Sequence, residues 1–203
     1  IINNCNFTYH PTDDSMKSPV IDIASNTVHI ITNTFISNAK CRYSGSIRFS
    51  NTSHESLTLV NLTMDHLMGD ASCAFNFDFN PNSPTYMNNI SIRNCEHSAC
   101  LFSLNLIESG SFTFSKFQFV NNSFVSSFGL LFLMAPASAS SPNTYVDFVD
   151  CLFEQNSCDS VRTPNFHGMG GGIVIGGNAY LKKVFYSVLN CTFISNYASI
   201  SGG

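Results

Sequence analysis

The chain has 203 residues, only 11% of them charged, and nine Lys and Arg against thirteen Asp and Glu give a formal net charge of −4. The 44% hydrophobic fraction excludes a disordered chain, and the acidic balance excludes a protein that binds nucleic acid by neutralising phosphates. Uncharged polar residues (29 Ser, 23 Asn and 13 Thr) must cover the surface, and 19 Phe favour strands.

Seven segments share a template in which apolar residues alternate with polar ones and end on a bulky residue. They are 2–7, 28–35, 57–64, 90–97, 112–119, 146–153 and 186–193. Alternation at period 2 predicts strands with one buried face. Within each template the alternation slips by one residue, so both halves stay buried only if two strands meet there at a corner.

A third strand precedes most templates, and its inward residues recur every 26 to 28 residues until a final interval of 43. We take as markers Ile23, Phe49, Phe77, Leu104, Phe132 and Ile175. Three short strands per repeat predict an all-β fold, a right-handed parallel β-helix of about six to seven coils. Residues 1–203 then form a single domain with an extra loop at 157–169, and we expect the natural protein to continue beyond it.

An antiparallel sandwich is the alternative fold, because short, evenly spaced strands also occur there. Asn-Gly and Asp-Gly, the dipeptides typical of its tight hairpins, are absent from the sequence. The longest apolar run, 124–137, is shorter than the roughly 20 residues of a membrane-spanning helix. The prediction is therefore a β-helix without a membrane span.

A Phe-x-x-Asn motif occurs four times, and we place all four copies at one phase of the repeat. The pairs are Phe35 and Asn38, Phe119 and Asn122, Phe153 and Asn156, and Phe193 and Asn196. Phe would fill the core at a corner. Asn would adopt the left-handed backbone conformation and form a ladder with Asn of neighbouring coils.

With Gly171-Gly172-Ile173, this motif resembles the repeats of the chlamydial polymorphic membrane proteins and of related protist surface proteins, a branch of the pectin-lyase-like β-helices. The resemblance is best over the last 50 residues. It implies a secreted or cell-surface passenger that serves adhesion or immune display, and it implies no catalytic residues.

Eight cysteines fit a disulfide framework, although the sequence does not choose among the 105 full pairings. We predict that Cys5, Cys95, Cys151 and Cys191 share one inward phase of the repeat. The disulfide candidates are Cys41 with Cys73, in turns, and Cys151 with Cys191, in adjacent rows.

Residues 95–100 also carry ligand chemistry in Cys95, His97 and Cys100, with His66 as the nearest fourth ligand for zinc. On a strand Cys95 and His97 would point inward and Glu96 outward, so tetrahedral zinc would need Cys100 to fold back toward them as well as the fourth ligand. We predict no metal and no cofactor.

Six Asn-x-Ser/Thr sequons are glycosylation candidates if the chain enters a secretory pathway. They begin at Asn6, Asn51, Asn61, Asn89, Asn121 and Asn190. About five are expected by chance from this composition, so their number alone does not place the protein outside the cell.

Enzymes on this fold need clustered carboxylates with Arg or Lys on one outer face. Asp22, Arg48 and Asp78 are outward positions of the first strand and form the one candidate group for acid–base catalysis by a polysaccharide lyase or hydrolase. A salt-bridged surface would contain the same residues.

We therefore predict a non-catalytic extracellular or cell-surface β-helix, an adhesin, stalk or fibre component. Its partners would be other copies, packed end to end or laterally, or host or cell-surface glycans and proteins, and not nucleic acid. A carbohydrate-active enzyme and an intracellular scaffold with reduced thiols are the alternatives.

Overall fold

The computed structural model describes thirteen stretches of the chain, and every structural statement below concerns these. They are residues 1–9, 20–23, 28–41, 47–49, 56–69, 75–79, 85–97, 102–106, 111–124, 131–134, 144–158, 173–176 and 184–198. Within them all regular structure is β-strand, which confirms the all-β prediction. No helix that could cross a membrane occurs in these stretches. The predicted loop 157–169 lies almost wholly outside them.

Buried side chains alternate with less buried ones along the strand Ser56–Asp65, apart from one slip, and all the described strands have two to ten residues. In chain order they are β1 (Ile2–Asn3), β2 (Asn6–Thr8), β3 (Ile21–Ile23), β4 (Val28–Ser37), β5 (Lys40–Cys41), β6 (Ile47–Phe49), β7 (Ser56–Asp65), β8 (Met68–Gly69), β9 (Phe75–Phe79), β10 (Thr85–Arg93), β11 (Glu96–His97), β12 (Phe102–Leu106), β13 (Ser111–Ser115), β14 (Gln118–Val120), β15 (Ser123–Phe124), β16 (Leu131–Met134), β17 (Thr144–Val149), β18 (Leu152–Glu154), β19 (Ser157–Cys158), β20 (Ile173–Gly176), β21 (Val184–Leu189), β22 (Thr192–Ile194) and β23 (Tyr197–Ala198).

These strands form three sheets. Sheet A has eleven strands along the path β1-β4-β7-β10-β13-β17-β21, joined by β2, β14, β18 and β22. Sheet B runs β5-β8-β11-β15-β19-β23, and sheet C runs β3-β6-β9-β12-β16-β20. Every pairing between described strands is parallel, and most partners lie 27 to 29 residues apart, as in β4 with β7. This parallel arrangement is compatible with the predicted β-helix, and parallel strands need a crossover connection, which excludes tight hairpins between them.

We call residues that pair in register across successive strands a column, and the strands at one level of the three sheets a row. One column of sheet A consists of Phe7, Ile36, Met64, Ile92, Phe119, Phe153 and Phe193. The template ends predicted at Phe35 and His97 were therefore wrong by one residue and by five, because Ile36 and Ile92 occupy this column. In sheet C, Leu133 rather than Phe132 continues the column of Leu104.

The core lies between the sheets and changes in character along the chain. Its earlier rows are aliphatic, with Ile31, Leu59 and Ile92 all at most 1% exposed. Its later rows are aromatic: the Phe114 and Phe148 rings stack at 5.0 Å, and the Phe119 and Phe153 rings at 5.3 Å. Each such fully buried side chain contributes roughly 1.5–3 kcal/mol to folding.

Candidate functional site

Residues with a left-handed backbone form two columns, and the chain bends at each of them. The first column, which we call the first corner, lies within sheet A, and the second corner lies where sheet A meets sheet B. The first corner contains Asn4, Asn33, Asn61, Asn89, Lys116, Asp150 and Asn190, and the second contains Asn38, His66, Asn94, Asn121, Gln155 and Ser195, all with φ between 50° and 58°. Asn tolerates this conformation better than other residues with a side chain. The slip in the sequence template is therefore a bend at one left-handed residue per row.

The first corner carries an exposed ladder of amide side chains. Asn89 donates from Nδ2 to Oδ1 of Asn61 at 2.8 Å, and Asn61 donates in the same way to Asn33 at 2.8 Å. Asn33 in turn donates to Oδ1 of Asn3 at 3.2 Å. Sequence reasoning missed this ladder, although the signal was present in the recurrence of Asn at positions 33, 61 and 89.

The second corner carries a buried amide ladder directly behind its left-handed residues. Asn122 donates from Nδ2 to Oδ1 of Asn156 at 2.9 Å, and Asn156 donates likewise to Asn196 at 2.9 Å. Each of these amides also donates to a backbone carbonyl of the preceding row, at 2.8 to 2.9 Å. Asn122 and Asn156 are at most 1% exposed. The predicted ladder is present at these three positions.

Two details of the Phe-x-x-Asn prediction were wrong. In the three later copies the left-handed residue precedes the motif Asn: it is Asn121, Gln155 or Ser195. In the first copy Asn38 itself is left-handed, and Phe35 lies one residue before the Phe column. This copy is therefore one residue out of phase, and Ala39 stands where the later rows have the ladder Asn.

The sequons follow from this corner geometry. Each corner residue is followed by an inward residue and then by an outward one. Where the corner residue is Asn and the outward residue is Ser or Thr, the three residues form a sequon. Asn61, Asn89, Asn121 and Asn190 are of this kind, and each is exposed. Asn6 is also exposed, and Asn51 lies outside the described residues. Glycosylation itself stays a prediction.

The cysteines divide between the two corners, which corrects the single phase we predicted. Cys151 and Cys191 follow the first corner, as does Cys5. Cys95 follows the second corner. Its backbone N–H donates to Oδ1 of Asn122 at 3.0 Å, so Cys95 lies next to the first amide of the buried ladder. Its thiol lies 3.1 Å from the Arg93 carbonyl.

No disulfide joins Cys5, Cys95, Cys151, Cys158 or Cys191, and the side chain of Cys41 is not described. The Cys151 N–H donates to Sγ of Cys191 at 3.4 Å, which places this disulfide candidate pair side by side. Burial raises the pKa of the Cys95 thiol to about 12, and burial together with the neighbouring Cys191 raises that of Cys151 to about 12. Such thiols are poor nucleophiles because little thiolate forms near neutral pH. Cys73 lies outside the described residues.

An ion-pair cluster occupies the second corner near Cys95. Asp65 contacts Nε of Arg93 at 3.2 Å, contacts Nδ1 of His66 at 2.8 Å, and accepts from Nδ2 of Asn94 at 2.9 Å. His66 thus faces a carboxylate on the surface. The described residues contain no group of three or more metal-ligating side chains, and Cys100 is not among them.

The register of sheet C places the three predicted catalytic residues as follows. Asp22 pairs with Arg48 on the adjacent strand, and Asn76 is the next member of that column. Asp78 lies two positions farther along the next strand, in the column of Asn105. With strands about 4.8 Å apart and about 3.3 Å per residue, the Cα atoms of Asp22 and Asp78 are roughly 12 Å apart through space. The register thus brings Asp22 beside Arg48 but not beside Asp78.

The two end rows differ from all rows between them. We call β1 and β2 the N-terminal edge, and β21, β22 and β23 the C-terminal edge. Residues 1–9 and 184–198 contain no Asp, Glu, Lys, Arg or His, whereas the described stretches 28–41, 56–69, 85–97, 111–124 and 144–158 each contain at least one. In the C-terminal edge, inward Val188 is 50% exposed and inward Phe193 is 49% exposed, against 1% or less for Phe148 and Phe153 one row earlier.

A concavity of about 230 Å³ lies at the N-terminal edge. Its walls are mainly isoleucine side chains, with Asp22 and His29 at one side: Ile1, Ile2, Asp22, Ile23, His29, Ile30 and Ile31. The features that recur from row to row are the two corners and their amide ladders, and we take these as the candidate functional site.

Comparison of the chain with protein-family models, with curated proteins and with solved structures found no match in any of the three. The function must be inferred from these edges, corners and ladders alone.

Proposed function

We propose that the chain is part of a right-handed parallel β-helix that acts without catalysis in an extracellular or cell-surface assembly, as an adhesin, stalk or fibre component. The observation that carries the proposal is the set of ladders that repeat one residue type in register from row to row. Each ladder stabilises a row that is added beside it, because the amide of the new row pairs with an amide already in place.

The surface chemistry supports the same proposal. Uncharged amides and hydroxyls dominate the outer positions, and the exposed ladder from Asn3 to Asn89 presents a row of hydrogen-bonding groups at strand spacing. The buried thiols are shielded from reaction. The similarity to chlamydial and protist surface repeats, which rests on the Phe-x-x-Asn and Gly-Gly motifs, is the reason we place the protein at a cell surface.

The test is the intact mass of the protein from its native source, measured with and without glycosidase and with alkylation before and after reduction. Glycan on Asn61 or Asn190, with few free thiols, would support an extracellular location. Thiols paired without glycan would still fit an oxidising cell surface. Eight free thiols without glycan would contradict the proposal and favour an intracellular scaffold.

Two variants make the glycan assignment specific. Thr192→Val and Thr63→Val remove the sequons of Asn190 and Asn61 while leaving the left-handed Asn in place. Each variant should lose one glycan mass without losing stability at its corner. Replacing the Asn itself would change the corner and the ladder as well as the sequon.

One observation favours a carbohydrate-active enzyme as the second candidate: Asp22 and Arg48 are neighbours on adjacent strands. Lyases and hydrolases of acidic polysaccharides need carboxylates together with Arg or Lys, and the register brings one residue of each kind into the same column of sheet C. Release of reducing ends or unsaturated sugars by the native chain, lost in Asp22→Asn and Asp78→Asn, would support this function. Absence of turnover in all three proteins would remove it.

A further inference from the structure

Two tyrosine side chains lie exposed on the outer face of sheet A, in rows that have a paired strand on both sides. Tyr86 on β10 is 57% exposed although β7 and β13 flank its strand. Tyr145 on β17 is 43% exposed although β13 and β21 flank its strand. Because neighbouring rows already cover both sides of each strand, the exposure belongs to the outer face itself.

The outer face around these tyrosines is almost free of charge. We call the outward residues of sheet A before the first corner the outer strip, which comprises the outward positions of 28–32, 56–60, 86–88, 113–115, 145–149 and 185–189. Among these described positions Asp147 is the only charged residue, and the others are aromatic, aliphatic, hydroxyl or amide side chains. A surface for nucleic acid or another polyanion needs Lys or Arg, so the outer strip suits an uncharged partner.

The register places two hydrogen-bonding residues between the tyrosines. The pairing of β10 with β13 puts Tyr86 level with Thr113, which is exposed. Thr113 pairs in turn with Asp147, which lies two residues after Tyr145 on β17. With strands about 4.8 Å apart and about 3.3 Å per residue, the Cα atoms of Tyr86 and Tyr145 are roughly 12 Å apart. The small Thr113 thus lies in the row between two larger aromatic side chains.

Tyr145 is held in one orientation by the next row. Its ring stacks on that of Phe185 at 5.1 Å, with the ring planes 15° apart. Phe185 therefore covers one face of the Tyr145 ring, and the opposite face lies on the side of β13, the strand of Thr113. Tyrosine supplies a large amphipathic contact area at a low cost in conformational entropy, and a stacked ring loses even less freedom on binding.

The chemistry of the outer strip matches that of a neutral sugar chain. A pyranose ring has C–H groups on its faces, which are attracted to the negative face of an aromatic ring, and hydroxyls around its rim. These hydroxyls can donate to the Asp147 carboxylate and can both donate to and accept from Thr113. An extended peptide would need a sheet edge for its backbone hydrogen bonds, which a sheet face does not offer.

We propose that the outer strip binds a linear, uncharged polysaccharide. Its sugar rings stack on Tyr86 and Tyr145, and its hydroxyls bond to Thr113 and Asp147. A sugar chain that carries carboxylates is disfavoured because it meets the like charge of Asp147. This inference rests on the proposed function, a non-catalytic surface protein, and names the class of ligand and the residues that hold it.

Isothermal titration calorimetry with soluble polysaccharides tests the proposal on the unmodified chain. The uncharged probes are hydroxyethyl cellulose, galactomannan, mannan and laminarin, and polygalacturonate is the acidic comparison. We expect binding to at least one uncharged probe, with binding to polygalacturonate weaker by about tenfold or more because of charge repulsion. Absence of binding to all four uncharged probes would overturn the proposal, and so would tighter binding to polygalacturonate.

Substitutions of the two tyrosines assign the binding to the outer strip. Tyr86→Ala and Tyr145→Ala should each weaken it about tenfold or more, because a central tyrosine carries a large share of a contact. Tyr86→Phe and Tyr145→Phe keep the ring and should stay within about threefold of the unmodified chain. Met68→Ala removes a 49% exposed side chain from sheet B, is the matched control and should leave Kd unchanged. An unchanged Kd in both tyrosine-to-alanine variants would overturn the proposed site.

Two further readouts separate lost contacts from lost structure. Thermal unfolding followed by circular dichroism identifies an alanine variant that fails to fold, and in that case the comparison rests on the other tyrosine. Asp147→Asn should reduce the preference for the uncharged probe over polygalacturonate to below about threefold, because the like charge is gone. An unchanged preference in this variant would overturn the placement of the sugar over Asp147.

The outcomes also distinguish this inference from the proposed function. A glycosylated protein that binds none of the uncharged probes would refute the polysaccharide site alone. A chain that binds an uncharged probe through Tyr86 and Tyr145, but has eight free thiols and no glycan, would refute the surface location alone.

Discussion

Two amide ladders run along the molecule, and they differ in burial and in their bonds to the backbone. Asn33, Asn61 and Asn89 stack on the outside of the first corner, exposed to water, and the asparagines themselves make the turn. Asn122, Asn156 and Asn196 stack behind the second corner, where the two earlier members are fully buried and a preceding residue makes the turn. Each amide of this second ladder also donates to a backbone carbonyl, so burial and the additional bonds both increase its contribution to stability.

The contrast follows from what replaces each hydrogen bond when it is lost. Water can take the place of a neighbour in the exposed ladder, so the net contribution of each bond is about 0.5–1.5 kcal/mol. In the buried ladder no water reaches the amide, and a lost partner leaves a polar group unsatisfied at a cost of about 1–3 kcal/mol for each group. The buried ladder therefore makes any other pairing of its rows costly, whereas the exposed ladder adds only a smaller stabilisation at its turn.

The largest expected effect is that of Asn156→Ala. This amide donates to the Phe119 carbonyl and to Asn196, and its oxygen accepts from both nitrogens of Asn122. Its removal leaves buried donors and an acceptor without partners, and we expect a loss of about 3–5 kcal/mol in the free energy of unfolding, measured with urea. Ser157→Ala, in the same turn, is the control, with an expected change below about 0.5 kcal/mol.

Alkaline pH should lower the free energy of unfolding through Cys95, which lies next to the first amide of the buried ladder. Burial raises the pKa of Cys95 to about 12 in the folded protein, above the ordinary value of 9.0. The thiol therefore contributes stability that is fully present below pH 9 and is lost as the pH rises from 9 toward 12, by up to about 1.4 kcal/mol per pH unit. Unfolding measured between pH 8 and 11 should show this slope, and Cys95→Ala should reduce it. An unchanged slope in that variant would mean that Cys95 is not the source.

Breaking the exposed ladder should cost less. Asn61→Gly removes two bonds, those with Asn33 and Asn89, but keeps the left-handed backbone, and we expect a loss of about 1–3 kcal/mol. Asn61→Ala adds the cost of a left-handed alanine, about 1–2 kcal/mol. The difference between the two variants, measured by thermal unfolding, isolates the backbone contribution. Equal losses for Asn61→Gly and Asn156→Ala would contradict the comparison of the two ladders.

The smallest expected effect is a gain from Cys95→Asn, which extends the buried ladder by one row. The Cys95 thiol already lies 4.0 Å from the Met64 carbonyl, the acceptor that corresponds to Ile92 for Asn122. An amide there would donate both to this carbonyl and to Asn122, and we expect stabilisation of about 1 kcal/mol, read as a higher Tm. Loss of stability would show that the site is too tightly packed for the larger side chain.

The sequence predicted the strands and corners because both follow from local chemistry. Alternating Phe, Ile, Leu and Val with Asn, Ser and Thr indicates a strand with one buried face, and a slip of that alternation by one residue indicates a bend, where Asn tolerates the left-handed conformation. The Asn122–Asn156–Asn196 ladder was predicted for the same reason, since a polar residue recurs at one place in successive repeats.

At the two places that follow, the local sequence pattern predicted the wrong register. Asn94-Cys95 reads like Asn190-Cys191, so the sequence put both at the first corner, although pairing with Asn122 puts Cys95 at the second. Phe35 and Ile36 are equally apolar, and only the pairing with Met64 shows that Ile36 is the inward one. A shift by one residue changes the face of every side chain but leaves composition and local pattern unchanged.

By itself, then, the sequence determined an all-β chain with a repeat near 28 residues, asparagine corners and an uncharged surface. Each of these depends on residues close together in the chain. The tertiary structure alone decided which amides are buried, that Asp22 lies beside Arg48 and away from Asp78, and that Cys95 belongs to the second corner. These properties depend on which residues of different rows face each other. The paired residues lie 26 to 42 positions apart in the chain, so the local pattern leaves several registers open and packing of the core selects one of them.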